Sequence, residues 1–279
     1  MDSIKVAFLN VGHGDSTVII YPDKKSAAVI DTPKALITYD YLLKNNIDYL
    51  RWVMISHSHV DHTNGIIDLI KQFHTGEKII EIIYYNRDTI KRAAQAQKDK
   101  DRYLILLKQI LHLIDEGIVK NPGLPATINS NFNPIDGVEI KIMHPSHDDI
   151  TRAMVHSNNV NDASVVVRLC YGQNTILFTG DLSENGWIWL KSRYQNIYSD
   201  ILKFPHHGKW FEGIPGILQE INPQYVILSY GEASETRYGL PSKETLDYLN
   251  KRSLKTVTTK FSHQEFIVTS DAIQICSSQ

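Results

Sequence analysis

Short apolar runs, punctuated by glycine, proline and polar pairs, set the rhythm of the first eighty residues. Residues 6–10, 17–21 and 27–31 are rich in Val, Ile and Ala and predict strands, with Gly12, Gly14 and Pro22-Asp23 as the turns between them. Residues 37–43 predict a short helix, and 52–56 a buried strand. Ile66, Ile67, Ile70 and Phe73 then recur at helical spacing, and 79–85 returns to strand.

The pattern changes over 88–120. Asp88 is placed to cap a helix whose first half is basic (Lys91, Arg92, Lys98, Lys100, Arg102). Its second half carries Tyr103, Leu106, Leu107, Ile110, Leu111 and Ile114 three and four residues apart, and Asn121-Pro122-Gly123 ends it. This predicts a helical insertion, continuous or broken in two. Beyond it, Val138, Ile140 and Ile142 alternate with Glu139 and Lys141, as in a half-buried strand. Residues 164–169, 175–179 and 225–229 predict further strands, and 242–250 a helix. Residues 256–259, 265–268 and 272–275 predict closing strands. Two rounds of strands, helix and strand suggest an α/β fold of two packed sheets with helices outside. No repeat or linker divides it, so 1–279 is expected to be one domain.

Composition narrows the classes. A net charge of −2 gives no global attraction to polyanions, so any binding of one must be local. No apolar stretch approaches membrane-spanning length, and the start Met1-Asp2-Ser3-Ile4-Lys5 lacks a secretion signal; the expectation is a soluble cytoplasmic protein with no membrane contact. Cys170 and Cys276 lie far apart in apolar runs and are expected to be buried small residues rather than a disulfide or metal pair.

The chemistry is concentrated in His57-Ser58-His59-Val60-Asp61-His62, directly after the apolar run 52–55. Imidazole nitrogens and carboxylate oxygens suit zinc and its first-row neighbours. Alternate residues of an extended segment point the same way, so His57 and His59 can grip one cation, while Asp61 and His62 face a second. Asp181, in Thr179-Gly180-Asp181 at a strand end, could bridge the two, and Pro205-His206-His207-Gly208 brings further imidazoles after another apolar run. The chain has no Gly-x-Ser-x-Gly elbow, P-loop or GxGxxG, so metal-activated water is the catalytic machinery left.

These segments, with residues 9–16, Ile30-Asp31-Thr32, Asn161-Asp162-Ala163-Ser164 and Tyr238-Gly239-Leu240-Pro241-Ser242, resemble the metallo-β-lactamase superfamily. The likeness is to the branch typified by the nuclease-like C-terminal domain of the bacterial DNA-uptake competence channel protein. The resemblance implies an αββα sandwich with two divalent metal ions, Zn or Mn, at one edge. It assigns His57 and His59 to the first metal, Asp61 and His62 to the second, and Asp181 between them. One of His206 and His207, with His207 favoured, would complete the second. The other would touch the substrate's oxyanion, and Asp61 would double as proton acceptor. Many relatives place a further first-metal His where this chain has Asn161-Asp162; that ligand is absent, or is Asp162, or comes from His144 or His156. Lys209 stands where the branch has a small hydroxyl residue and Leu240 where it has a His, so Lys209, Asn161 and Asp162 are the candidate substrate contacts. Asp15 and Asp31 are expected to orient the ligand loop through backbone bonds.

Paired cations lower the pKa of water from ~15.7 toward ~7 and would supply a bridging hydroxide. The reading is a metal-dependent phosphodiesterase, a nuclease or an enzyme of small phosphodiesters. Carboxyl-side hydrolysis (lactone, thioester or β-lactam) and a non-catalytic, metal-stabilised interaction module are the alternatives. The partners expected are nucleic acid or a small phosphodiester, with the helical insertion as a surface for a second copy or a protein.

Overall fold

The computed structural model describes residues 2–75, 78–96, 100–121 and 123–276. The first half gives β1 (Ile4–Phe8), β2 (Thr17–Ile20), β3 (Ser26–Ile30), helix α1 (Ala35–Lys44) and β4 (Tyr49–Met54). The short α2 (Val60–Thr63), α3 (Ile66–Thr75), β5 (Ile79–Ile80) and β6 (Ile83–Tyr84) follow, then α4 (Arg87–Ala96) and α5 (Lys100–Asp115). The second half gives β7 (Val138–His144), α6 (His147–Arg152), β8 (Val166–Tyr171), β9 (Asn174–Phe178), α7 (Glu184–Arg193) and β10 (Ile201–Lys203). It ends with α8 (Ile214–Ile221), β11 (Tyr225–Leu228), α9 (Glu232–Tyr238), α10 (Lys243–Lys251), β12 (Lys255–Thr258), β13 (Gln264–Val268) and β14 (Ile273–Cys276).

One sheet runs β14-β13-β1-β2-β3-β4-β5, with β6 also on β4; the other runs β12-β11-β10-β9-β8-β7. Side-chain alternation builds the layers. Val6 and Phe8 of β1 meet Val167, Ile176 and Phe178 of the second sheet in a shared core, while Ala7 and Leu9 face the opposite way. There they pack with Leu42 of α1, Ile66 and Ile70 of α3 and Leu107 and Ile110 of α5. On the far side Leu177 and Val226 pack with Trp187 and Leu190 of α7, Ile217 of α8 and Leu249 of α10. The order is helices, sheet, sheet, helices: the αββα sandwich. Each fully buried apolar side chain contributes roughly 1.5–3 kcal/mol before chain entropy is counted.

β3 and β4 are parallel, as are β9 through β12, so the loops leaving their C-terminal ends collect at an edge of the sandwich. The metal-donor segments 57–62, 181 and 206–207 are all in such loops, while Asn161 and Asp162 come from the segment before β8.

Several expectations shift in detail. The insertion is two helices, and the buried Tyr103, Leu106, Leu107, Ile110 and Leu113 of α5 join the core under the first sheet. Of its basic half, Lys98 and Pro122 at its end lie outside the described residues, as do the side chains of Arg92 and Lys100. α7 and α9 had no helical periodicity to announce them, and α7 packs Trp187-Ile188-Trp189-Leu190 into one consecutive run. α8 does carry it, in Ile214, Ile217, Leu218 and Ile221, but Gly213, Pro215 and Gly216 make its start read as a turn. Cys170 and Cys276 are free, as expected, but half-buried rather than buried, because both lie on strands whose other face is the core. No described helix is long and apolar enough to cross a membrane.

Candidate metal centre

The loop after β4 reaches the edge through Asp31, which follows β3 in the left-handed region at φ 58°. Its carboxylate accepts the Ser56 N–H at 2.7 Å, the Ser56 hydroxyl at 2.6 Å and the His62 Nδ1–H at 2.7 Å. Burial pushes the Asp31 carboxyl up. The sequence expectation that Asp31 orients the ligand loop therefore holds. Gly14 lets the β1–β2 loop lie against the same segment: a Cβ there would come within 2.1 Å of the Asp61 carbonyl oxygen. From the second sheet, Gly180 turns at φ 49° beneath Ser56 and presents Asp181.

His206 and His207 are both left-handed, at φ 51° and 53°, a conformation costly for a residue with a Cβ and held only where the surroundings fix it. The His206 N–H donates to the Gly180 carbonyl at 3.2 Å and His207 Nδ1 to the Ser229 carbonyl at 3.0 Å.

Among the described residues three donor groups form; one is Asp15, Asp31 and His62, and the other two share Asp181. His57 Nε2 lies 3.1 Å from His59 Nδ1 and 3.8 Å from Asp181 Oδ2. His62 Nε2 lies 3.2 Å and His207 Nε2 3.5 Å from Asp181 Oδ1, and His207 Nε2 is 3.3 Å from Asp61 Oδ2. His57 Nδ1 bonds Ser56, His62 Nδ1 bonds Asp31 and His207 Nδ1 bonds Ser229, so every Nε2 points into the shared space. His62 Nε2, His207 Nε2 and Asp181 Oδ1 are buried with no hydrogen-bond partner. Buried polar atoms left so are costly, and nitrogen and oxygen donors within 4.8 Å of one another are what a divalent cation satisfies. The donor set fits two such ions.

Charge balance agrees. Burial alone would raise the Asp181 carboxyl, but His207, His62 and His206 hold it well below the usual carboxylate range. Burial would also raise Asp61, and its bonds from His13 and His207 outweigh that and lower it. Burial opposes charge on His62, yet Asp181 and Asp31 push it well above an ordinary imidazole. His207 is raised likewise, by Asp181 and Asp15 against burial. Burial lowers His57, His59 and His206, the last to about 4.

Other expectations need correcting. The Asp162 carboxylate is 1% exposed and accepts from the Ser183 hydroxyl and, at 3.1 Å, from Asn185, so it braces the start of α7 instead of touching metal or substrate. His144 is equally committed: Nε2 bonds the Asp162 carbonyl at 2.8 Å, and Nδ1 faces Arg193 and Asp149. His156 is exposed on the turn Ala153–Ser157. Asn161 does reach the centre, its amide nitrogen 3.5 Å from His206 Nδ1. His206 lies on the first-group side, its Nε2 3.8 Å from Asp181 Oδ2, and Lys209 is exposed beyond it.

Two further side chains take part: His13, which the sequence left open between a support behind the ligands and a satisfied turn histidine, and Lys203, which escaped the sequence reading. His13 Nε2 sits 3.1 Å from Asp61 Oδ2. Lys203, 3% exposed, makes an ion pair with Asp15 and so joins the two sheets directly below the centre; Asp15 does this in place of the backbone role expected of it. A lysine inside the apolar run Ile201-Leu202-Lys203-Phe204 was the available signal.

Comparison with known proteins agrees with this architecture. ComE operon protein 3 of Bacillus subtilis (strain 168) is 20% identical over 274 residues, which cover 91% of this chain and 32% of that protein, so the chain spans about a third of that relative. The metallo-beta-lactamase fold protein YhfI from Bacillus subtilis superposes with a TM-score of 0.54 at 14% identity, over 95% of this chain and 100% of that one. A long form RNase Z from yeast superposes with a TM-score of 0.51 at 14% identity, over 97% of this chain and 42% of that one. The family model described as the metallo-beta-lactamase superfamily matches residues 9–231, a span that holds every donor of both groups, and the chain belongs to that superfamily.

Proposed function

We propose that this member of a superfamily of metal-dependent hydrolases is a phosphodiesterase, and a nuclease in particular. The observation that carries the reading is the single carboxylate of Asp181, whose two oxygens face two separate donor groups. Two-metal sites with ions ~3.5–4 Å apart are the arrangement that clamps both the entering and the leaving oxygen of a phosphoryl group. Bound cations would supply acidified water and Lewis acidity. The chain's own residues do the rest. Asp61, kept ionised by His13 and His207, is the proton acceptor; His206, whose charge burial suppresses, is a neutral donor toward a substrate oxygen. Lys209 adds positive charge at the side where a phosphate would enter. The similarity to ComE operon protein 3, in line with the resemblance to the DNA-uptake branch, supports nucleic acid as the phosphodiester.

The test is turnover of single-stranded DNA, RNA, plasmid and bis(p-nitrophenyl) phosphate with Mn²⁺ or Zn²⁺ and with EDTA. Metal-dependent cleavage is expected, and Asp181→Ala should abolish it while leaving the circular dichroism spectrum unchanged. Turnover of lactones or nitrocefin with none on any phosphodiester would overturn the proposal.

A further inference from the structure

One exposed aromatic ring stands at the rim of this centre. Tyr238, the last residue of α9, is 57% exposed although its ring stacks on the His13 imidazole, centroids 4.4 Å apart and planes 19° from parallel. His13 is itself fixed. Its Nδ1 accepts from the Ser234 hydroxyl at 2.9 Å, its Nε2 reaches Asp61 at 3.1 Å, and its ring centroid is 5.0 Å from that of His207. α9 sits hard on the β1–β2 loop: a Cβ on Gly231 would come 2.6 Å from Gly12 Cα. The platform is therefore ordered before any ligand arrives.

Cations surround it. A Cβ on Gly12 would come 3.1 Å from Lys34 Nζ, which places that ammonium over the residue next to His13. The Ser242 N–H donates to the Gly208 carbonyl at 3.1 Å, which brings Lys209 beside the segment that follows Tyr238. Lys34, Lys209 and Arg237 are exposed, and none has a carboxylate partner among the described residues. A rigid ring open to solvent accepts a planar partner, an acyl chain or a quaternary ammonium. The unpaired cations repel the last, and a charged rim offers no trough for the second. A planar base carried on a phosphate backbone satisfies ring and cations together.

We propose that Tyr238 is a base platform and that the strand cut at the centre is single-stranded nucleic acid. One base would stack on Tyr238, and Lys34, Lys209 and Arg237 would neutralise flanking phosphates. Paired bases in a duplex have no free face to offer. The proposal rests on the phosphodiesterase reading for what is cut, but base recognition can be tested apart from cleavage.

The experiment uses the full chain loaded with Mn²⁺ and measures fluorescence anisotropy of a labelled phosphorothioate dT octamer and of an abasic octamer with the same backbone. The base-bearing strand is expected to bind about tenfold tighter, the range base–aromatic stacking supplies. Tyr238→Ala should bring the two affinities within twofold of each other, Tyr238→Phe should keep the difference, and both variants should retain wild-type metal content. Equal affinities in the wild type, or a difference that survives Tyr238→Ala, would overturn the platform. Bis(p-nitrophenyl) phosphate separates the two readings. Turnover of that ester without base preference sinks the platform alone; base preference without phosphodiester turnover sinks the phosphodiesterase alone and leaves the platform standing.

Discussion

His62 and His207 each donate from Nδ1, to Asp31 and to the Ser229 carbonyl, and face Asp181 with Nε2. Both hold a proton more tightly than free imidazole, because the carboxylates around them outweigh burial. His57 and His59 hold theirs less tightly, because burial wins. Metal and proton compete for the same lone pair. A raised pKa means that the protonated form persists to higher pH, so a cation entering the Asp61–His62–His207 group must displace a proton. Titration of the metal-free protein with Zn²⁺ in a pH-stat at pH 7 is expected to release protons. Loading without proton release would contradict the raised His62 and His207. The ligand cluster itself was legible in the sequence because five of its positions fall in or beside two short segments. Asp162 misled for the opposite reason: its neighbour Asn161 faces the centre, and on a tight turn Ser183 and Asn185 take the next carboxylate away.

Among the elements, β10 carries the strongest claim on stability. Its last residue, Lys203, is buried against Asp15 of the loop that joins β1 and β2 in the other sheet. Removing one partner of a buried pair leaves the other charge unpaired, so Lys203→Ala is expected to cost roughly 3–5 kcal/mol in urea unfolding. The double variant Lys203→Met with Asp15→Leu should recover much of that loss; an equal loss in the double variant would show that the pair's geometry matters more than its charges. Continuous apolar runs made most strands readable, since a central strand with the core on one face and helices on the other is buried on both. The helices α7 and α9 were not readable, whereas α8 carried a periodic apolar face masked by its glycines and proline. Gly186 in α7 is kept by close packing, since a Cβ there would come 2.4 Å from Leu182, and the apolar residues around it do not follow a helical period. Long-range packing decides such segments, and no local pattern records it.

At the scale of the whole molecule, the two helices over 87–115 are structural members and not an appendage. Five buried side chains of α5 complete the core beneath the first sheet, and β-bridges tie Val119 to Ile80 and Leu124 to Tyr84. Deleting residues 87–120 is expected to abolish cooperative unfolding, observed as loss of a sigmoidal thermal transition by circular dichroism. A truncated chain that melts like the wild type would mean the segment is dispensable. The sequence conveyed that this stretch was helical and amphipathic, and it left open whether the apolar stripe faced inward or toward a partner.

Asp181 and His207 come from one sheet, while His57, His59, Asp61 and His62 come from the other. Neither half of the polypeptide can therefore capture an ion pair unaided. A centre for two ions would be complete only after the halves dock, which would make ion uptake a faithful reporter of correct assembly.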